Sequence, residues 1–268
     1  MIAFAANSVL CRMALAKEAI DPASFTSIRL ISGATILFLL VYASKTKKQS
    51  SSKGSWVSGG ILFIYAVAFS FAYVSLDTGT GALIAFGTVQ ITMITSALFQ
   101  GNKMKSAEWI GVILAFGGFV YLVLPGVTAP SLSGLLLMIL SGMAWGIYSL
   151  RGKSSLHPLD DTAFNFMRAI PFVIVLLIFS IGKIQATPQG ITLAIVSGAI
   201  TSGIGYTIWY MALKGLSAIH ASIVQLIVPV IAAIGGVLFL SEIITLRLLI
   251  ASILILGGIS IAILTRRK

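Results

Sequence analysis

The sequence predicts an all-α integral membrane protein in which ten transmembrane helices form two five-helix repeats of inverted topology. Three observations predict this fold class. The composition is too apolar for a water-soluble domain, ten apolar segments have helical length, and matched residues recur at a nearly constant offset in the two halves of the chain. Together they predict the number of membrane crossings, their orientation and the relation between the halves.

The composition excludes a soluble globule. The chain has 268 residues, of which 58% are hydrophobic and 9% charged, and its mean hydropathy is +1.05. Soluble domains carry about 25% charged and about 45–50% apolar residues, so this chain has too few polar side chains to cover such a domain. The same composition excludes a disordered chain. One cysteine and two histidines make an intrachain disulfide impossible and a zinc site unexpected.

Ten apolar segments approach or reach the length needed to cross the hydrocarbon layer, about 20 residues of helix. Residue pairs that contain a helix-breaking proline separate some of these segments, such as Pro125-Gly126, His157-Pro158 and Thr187-Pro188. Because the segments are apolar on all sides, helices are expected rather than the alternating strands of a membrane β-barrel. The predicted spans are residues 1–16, 27–43, 57–76, 79–100, 108–124, 132–150, 162–181, 190–212, 217–240 and 245–264.

Basic residues predict the orientation, because cytoplasmic loops carry an excess of lysine and arginine. With ten spans and a cytoplasmic N-terminus, only Lys17, Lys183 and Arg247 fall on the outside. The formal net charge of +11 then reflects membrane topology, and no nucleic-acid partner is expected. The predicted cytoplasmic residues are Lys45, Lys47, Lys48, Lys53, Lys103, Lys105, Arg151, Lys153, Lys214, Arg266, Arg267 and Lys268.

The two halves of the chain match each other. Phe25 and Arg29 recur as Phe164 and Arg168, both 139 residues later. Further matches join Arg12 to Arg151, Tyr73-Val74-Ser75-Leu76 to Tyr210-Met211-Ala212-Leu213, and Gly117-Gly118 to Gly257-Gly258. They divide the chain into five-helix repeats of residues 1–126 and 127–268. Since five is odd, the second repeat inserts upside down relative to the first, as in many secondary transporters with a mid-membrane site.

Three local patterns carry a family resemblance. They are Asn7-Ser8-Val9-Leu10-Cys11-Arg12-Met13-Ala14-Leu15, Asp21-Pro22 followed by Ser24-Phe25-Thr26-Ser27-Ile28-Arg29, and Pro229 followed by Ser241-Glu242 and Gly257-Gly258. These patterns resemble EamA-like permeases of the drug/metabolite transporter superfamily over essentially the whole chain. The resemblance implies an inner-membrane carrier, often an exporter of amino acids or other small metabolites. It also implies a cavity lined by helices one, three, four, six, eight and nine, with helices five and ten at the periphery.

Three amide side chains deep in predicted spans are candidates for substrate binding, because polar groups in hydrocarbon normally face protein or a water-filled cavity. Asn7, Gln90 and Gln225 lie in spans one, four and nine, and an amide both donates and accepts hydrogen bonds. Pro229 is expected to kink span nine and free the carbonyl of Gln225. The alternative role of each amide is a hydrogen bond between helices.

Aromatic residues and one arginine complete the predicted site. Aromatic rings with hydroxyl or indole groups can stack on a solute and bond to it, with anchoring at the membrane interface as the alternative. Arg12 is expected to contact a substrate carboxylate or phosphate. The predicted substrate-binding residues are Asn7, Arg12, Tyr73, Gln90, Trp145, Tyr148, Tyr206 and Gln225.

Arg29 and Arg168 occupy matching positions one or two turns inside spans two and seven. A long side chain there can reach helix-end carbonyls or lipid headgroups, and this role is favoured over anion binding. The seven acidic residues avoid the deep parts of the spans, so proton coupling through an intramembrane carboxylate has no support.

The sequence therefore predicts a secondary transporter of small organic metabolites, amino acids or related solutes, with export the expected direction. A lipid-modifying membrane enzyme that uses Asp160-Asp161 and a passive channel are the alternatives. No enzymatic activity, cofactor or metal is expected. The expected partners are a small-molecule substrate and the lipid bilayer. The sequence is also compatible with a homodimer. The expected location is the plasma (inner) membrane, multi-pass, with both termini cytoplasmic.

Overall fold

The computed structural model describes residues 1–44, 53–99, 106–124, 129–216, 221 and 224–265, which are mostly helical and confirm the predicted all-α class. The helices are α1 (Ile2–Leu15), α2 (Pro22–Ser44), α3 (Trp56–Tyr73), α4 (Thr78–Phe99), α5 (Ser106–Val123), α6 (Leu132–Gly152), α7 (Pro158–Ser180), α8 (Pro188–Gly215), α9 (Ile227–Leu240) and α10 (Leu246–Thr265). In this described part, an isolated antiparallel bridge joins Ile20 to Ala186.

Among the residues that the structure describes, six helices are long and apolar enough to cross a membrane, judged by length and composition: α2, α3, α4, α6, α7 and α8. Helices α1, α5, α9 and α10 contribute shorter apolar stretches. Many large apolar side chains on the outside of the bundle are exposed, which a lipid environment accommodates and water does not.

Polar capping residues decide where several helices begin. Helix α2 begins at Pro22, five residues before the predicted span, because Asp21 Oδ1 accepts hydrogen bonds from the backbone N–H groups of Ala23 and Ser24 at 3.0 and 2.9 Å. The side chain of Thr187 caps α8 in the same way. The predicted boundaries, drawn from apolar character alone, left out these polar first turns.

Hydrogen bonds join the connections at one end of the bundle, which we call the tied end: residues 16–21, 74–77, 181–187 and 241–245. Asp21 N donates to Gln185 O, and Thr187 N donates to Ala19 O, each at 2.8 Å. Ser75 and Ser131 hydroxyls lie 2.6 Å apart.

Of the predicted cytoplasmic residues, the following lie outside the described residues: Lys45, Lys47, Lys48, Lys103, Lys105, Arg266, Arg267 and Lys268.

Helix α8 changes its winding in the middle, since Ser197–Ile204 is a π-helix with i to i+5 hydrogen bonds. Its glycines permit a close approach of α2. A Cβ added to Gly198 would collide with the carbonyl oxygen of Arg29 and the hydroxyl of Ser32. The backbones of α2 and α8 are therefore in contact at this crossing. The sequence predicts an ordinary helix over 190–212, and the π segment departs from this prediction.

Helices α5 and α10 pack on each other, and their further contacts are mainly with α4. Small residues line the interface: a Cβ on Gly111 would collide with the backbone of Gly258 and Ala262. Glycine pairs of this kind allow membrane helices to approach closely. This pair lies at the edge of the bundle, in agreement with the peripheral position that the family resemblance implied.

We expect Gly258→Leu to destabilise the protein by about 1–3 kcal/mol, because the new side chain meets the backbone of Gly111 and Ala115 on α5. The adjacent Gly257 faces open space, so Gly257→Leu is the matched control. Thermal unfolding of the purified variants in detergent measures the difference. Equal unfolding midpoints for the two variants would contradict the packing of α5 on α10.

Candidate functional site

Arg29 on α2 is fully buried, with 0% of its side chain exposed. Its guanidinium donates to neutral hydroxyl groups: Nε to Ser202 Oγ at 2.9 Å, and Nη2 to the hydroxyls of Tyr65 and Tyr206 at 3.1 and 2.7 Å. Its Cζ also lies 5.3 and 5.1 Å from the ring centroids of Tyr65 and Phe69. A positive charge thus lies inside the bundle, surrounded by hydroxyl groups and aromatic faces.

Asn7 on α1 binds the π segment of α8. Its Oδ1 accepts hydrogen bonds from the hydroxyls of Ser197, Thr201 and Ser202 at 2.8, 2.5 and 3.2 Å. In an α-helix, the first and last of these residues would point about 140° apart. Bonding from i to i+5 instead places them one turn apart on one face. The π segment therefore lets three hydroxyls reach one amide, and it joins Asn7 to Arg29 through Ser202.

Aromatic rings from four helices, α1, α3, α6 and α8, pack beside this polar network. Phe4 of α1 lies 5.3, 5.8 and 5.6 Å from the rings of Trp145, Tyr206 and Trp209. Trp145 of α6 lies 4.5 Å from Tyr206 and 5.0 Å from Tyr65. We call these five rings, with Arg29 and Asn7, the central cluster. The cavity at its edge has a volume of about 10 Å³, so the rings close the middle of the bundle.

The structure brings three of the predicted site residues into the central cluster: Asn7, Trp145 and Tyr206. Two more adjoin it, because Tyr148 stacks on Trp145 with centroids 5.7 Å apart and Trp145 Nε1 donates to Gln225 Oε1 at 3.4 Å. Gln90 is buried on α4. Leu226 forms a turn just before α9 begins at Ile227, three residues before Pro229, where the sequence predicts a kink.

The other two predicted site residues, Arg12 and Tyr73, lie in the last turns of α1 and α3, beside the tied end. Arg12 donates from Nε to Glu242 at 3.4 Å and from Nη2 to Asp77 at 3.3 Å, and its Nη1 donates to the carbonyl of Tyr73 at 3.0 Å. Glu242 also accepts from the backbone N–H and the hydroxyl of Thr78. We call this group the Arg12 lock. It links the end of α1 to the connections that follow α3 and α9.

Burial raises the pKa of the Glu242 carboxyl. The hydrogen bonds from Thr78 and the positive charge of Arg12 act in the opposite direction, whereas the negative charge of Asp77 adds to the increase. Desolvation is the largest of these effects because it penalises the charged form of a carboxyl group.

A polar pocket of about 270 Å³ lies at the other end of α3 and α6, away from the tied end. Arg151 at its wall donates to the hydroxyls of Ser58 and Ser55 at 2.9 and 3.3 Å. Tyr210 also lines the pocket, and its hydroxyl donates to the carbonyl of Tyr148 at 3.0 Å. Since Tyr148 stacks on Trp145, this pocket approaches the central cluster from the opposite side.

Sequence reasoning missed the central role of Arg29 and did not select its partners Tyr65 and Ser202. The repeat match to Arg168 was a misleading signal. Arg168 donates to the carbonyl of Lys53, in the connection before α3, and its Cζ lies 5.5 Å from the centroid of the Trp56 ring. The sequence does carry a signal for the position of Arg29. The small residues near Ser202 permit a close approach of α8 to α2, the helix that holds Arg29.

Among the described residues, no three histidine, cysteine, aspartate or glutamate side chains come together as a metal site would require.

Comparison with known proteins matches the chain to the EamA-like transporter family over residues 1–124 and 132–264. An uncharacterised protein of Pseudomonas aeruginosa is 46% identical, covering 99% of this chain and 92% of that protein. An uncharacterised transporter of Bacillus subtilis, YoaV, is 24% identical, covering 93% and 90%. A probable terminal-alkyne amino-acid exporter of Streptantibioticus cattleyicolor is 22% identical, covering 67% and 62%.

A solved crystal structure is similar with a TM-score of 0.67 at 20% identity, covering 100% of this chain and 98% of that one. This likeness concerns the fold. The family and the names of the relatives denote transporters rather than enzymes. Together with the apolar helices described above, the family match and the names of the relatives indicate that this chain is a multi-pass membrane protein. The chain belongs to the EamA-like transporter family.

Proposed function

We propose that this protein is a secondary transporter that exports small organic metabolites, amino acids or related solutes, by alternating access around a mid-membrane site. The observation that carries the proposal is the central cluster, in which Arg29 and Asn7 are buried inside apolar helices. Polar and ionisable groups within a membrane are costly and commonly mark a substrate or ion pathway. The name of the Streptantibioticus relative supports the class of solute and the direction.

The proposed layout is ten spans in two inverted repeats, residues 1–126 and 127–268. It is supported by six long and four shorter apolar helices and by the separate family matches at 1–124 and 132–264. The proposed location is the plasma (inner) membrane with both termini in the cytoplasm, supported by the distribution of lysine and arginine. In this orientation the tied end faces away from the cytoplasm.

Alternating access requires that the central site be closed at one end at a time. The Arg12 lock is the proposed outer gate, because it joins α1 and the α3–α4 connection of the first repeat to Glu242 of the second. The proposed inner path runs from the polar pocket past Tyr210 and Tyr148 to Trp145. The described conformation is thus closed at the tied end and at the central rings.

Counterflow in liposomes tests the transport proposal. Vesicles that contain the purified protein and an unlabelled amino or organic acid should transiently accumulate the labelled solute, because a carrier exchanges solute between two gates. Asn7→Leu removes the acceptor of three hydroxyls and should slow counterflow about tenfold or more. Thr35→Leu, on an exposed position of α2, is the matched control and should retain the wild-type rate.

Three results would contradict the transport proposal. A non-saturable leak without counterflow would indicate a pore. Turnover of lipid that is lost in Asp160→Asn or Asp161→Asn would indicate an enzyme. Failure to move any solute of a broad metabolite panel would remove the basis for a carrier.

Labelling of Cys11, the one cysteine of the chain, tests the outer gate. Cys11 is buried on α1, next to Arg12 in sequence. Arg12→Gln removes the ion pairs to Asp77 and Glu242 and should increase the rate at which a water-soluble thiol reagent modifies Cys11 by about tenfold. Arg151→Gln, at the opposite pocket, should leave the rate unchanged. Equal rates in both variants would exclude the Arg12 lock as a gate.

The pH dependence of this labelling follows from Glu242. Its pKa is raised by burial while the tied end is closed, and an exposed carboxyl in the open state titrates in its ordinary range. The closed state therefore binds the proton more tightly, so lowering the pH through this pKa favours closure. Wild-type labelling by 4,4′-dithiodipyridine, normalised to a free thiol, should slow as the pH falls. Glu242→Gln should abolish this dependence, and faster wild-type labelling at low pH would contradict the sign.

A further inference from the structure

We propose that Arg29 binds the negative charge of the transported solute, and that this solute is a monovalent organic anion, a carboxylate with an apolar body of aromatic size. This inference rests on the proposed transport function and narrows it to a chemical class. The observations that carry it are the unbalanced charge of Arg29, a donor without a partner, the position of the acidic residues and the rings beside the guanidinium.

The charge of Arg29 is not balanced by a carboxylate. Within the described ranges, ion pairs are formed by Arg12 with Asp77 and Glu242, and Arg29 takes part in none. Its partners Ser202, Tyr65 and Tyr206 are neutral hydroxyls. A buried charge is costly unless it is paired, so an anion that enters this site gains a partner that the protein itself does not supply.

One nitrogen of the guanidinium, which carries two N–H donors, also has no partner within the described part of the chain. Arg29 Nη1 is buried and has no hydrogen-bond partner among the residues that the structure describes. Guanidinium groups bind carboxylates through two parallel N–H donors. A carboxylate can therefore bond to Nη1 and replace one tyrosine hydroxyl at Nη2. Because the site offers one positive charge, a monovalent anion matches it.

The position of the acidic residues argues against recognition of a substrate ammonium group. All seven lie in connections or in the first turns of helices: Glu18, Asp21, Asp77, Glu108, Asp160, Asp161 and Glu242. None of them belongs to the central cluster. A zwitterionic amino acid would bring a positive charge near Arg29 without a carboxylate to receive it, whereas a simple carboxylate would not.

The rings determine the rest of the solute. Phe69 and Tyr65 lie against the guanidinium. Tyr206 binds it through its hydroxyl, and the Tyr206 ring leads on to Trp145 and Phe4. Offset and edge-to-face packing on such rings favours a flat apolar group. Since the cavity measures about 10 Å³ in the closed conformation, the solute binds when these rings separate.

A ligand series with one apolar body tests the proposal on the purified full-length protein. The probes are 3-phenylpropanoate, its neutral amide, phenylalanine and 2-phenylethylamine, and the readouts are the shift of the unfolding midpoint and calorimetric titration. We expect saturable binding of 3-phenylpropanoate. Phenylalanine should bind more weakly, and the amide and the amine should bind about tenfold more weakly or not at all.

Two arginine variants supply the matched comparison. Arg29→Gln should weaken binding of 3-phenylpropanoate about tenfold or more and abolish the preference over the amide. Arg168→Gln removes the repeat-related arginine, which binds the Lys53 carbonyl away from the cluster, and should keep both. If Arg29→Gln does not fold, Arg29→Lys and the probe series on the wild-type protein still test whether Arg29 binds the carboxylate.

Equal binding of the carboxylate and its amide, tighter binding of phenylalanine, or carboxylate binding unchanged in Arg29→Gln would overturn the proposal. Absence of binding by all four probes would also overturn it. Counterflow of another solute alongside such a result would leave the transport function intact. Carboxylate binding without any counterflow would instead contradict the transport function and support the Arg29 site.

Discussion

The buried charge of Arg29 is the constraint on which the interior of this bundle depends. A guanidinium inside apolar helices needs hydrogen-bond acceptors from the protein, because a buried polar group without a partner is costly. Tyr65 from α3 and Tyr206 and Ser202 from α8 supply the acceptors. Helices α2, α3 and α8 are therefore held in one arrangement around a single side chain.

The backbone of α8 is adapted to this arrangement. Gly198 permits contact with the backbone of α2 at Arg29, and the π segment turns Ser197 and Ser202 toward Asn7. Bulges of this type are rare and frequently occur at functional sites. The same segment thus connects α1 to α2, and a change of its winding would move Asn7 and the hydroxyl at Arg29 together. This coupling suits a site that must open alternately toward two sides.

The helices were largely predictable from the sequence, because long apolar segments are local signals. The capped first turns of α2 and α8 lie outside the predicted spans, which were drawn from apolar character alone. Asn7, Trp145 and Tyr206 were predicted as site residues and lie together. Polar groups deep in a membrane normally face other helices or a cavity rather than lipid. Arg29 was assigned a structural role, because a sequence gives its depth in α2 but not which helices face it. The π segment could not be predicted from the sequence either, because the shift in register that brings Ser202 to Asn7 depends on packing against α1 and α2. Arg12 was expected at the substrate, whereas its partners Asp77 and Glu242 come from distant connections.

Binding of a solute carboxylate to Arg29 is tested most directly by a structure of the protein with 3-phenylpropanoate bound, determined in a lipid environment. We expect the carboxylate within hydrogen-bond distance of Arg29 Nη1, with the phenyl ring among Phe4, Tyr65 and Trp145. A carboxylate bound elsewhere, with Arg29 still bonded to Tyr65, Tyr206 and Ser202 as in the unliganded protein, would contradict it.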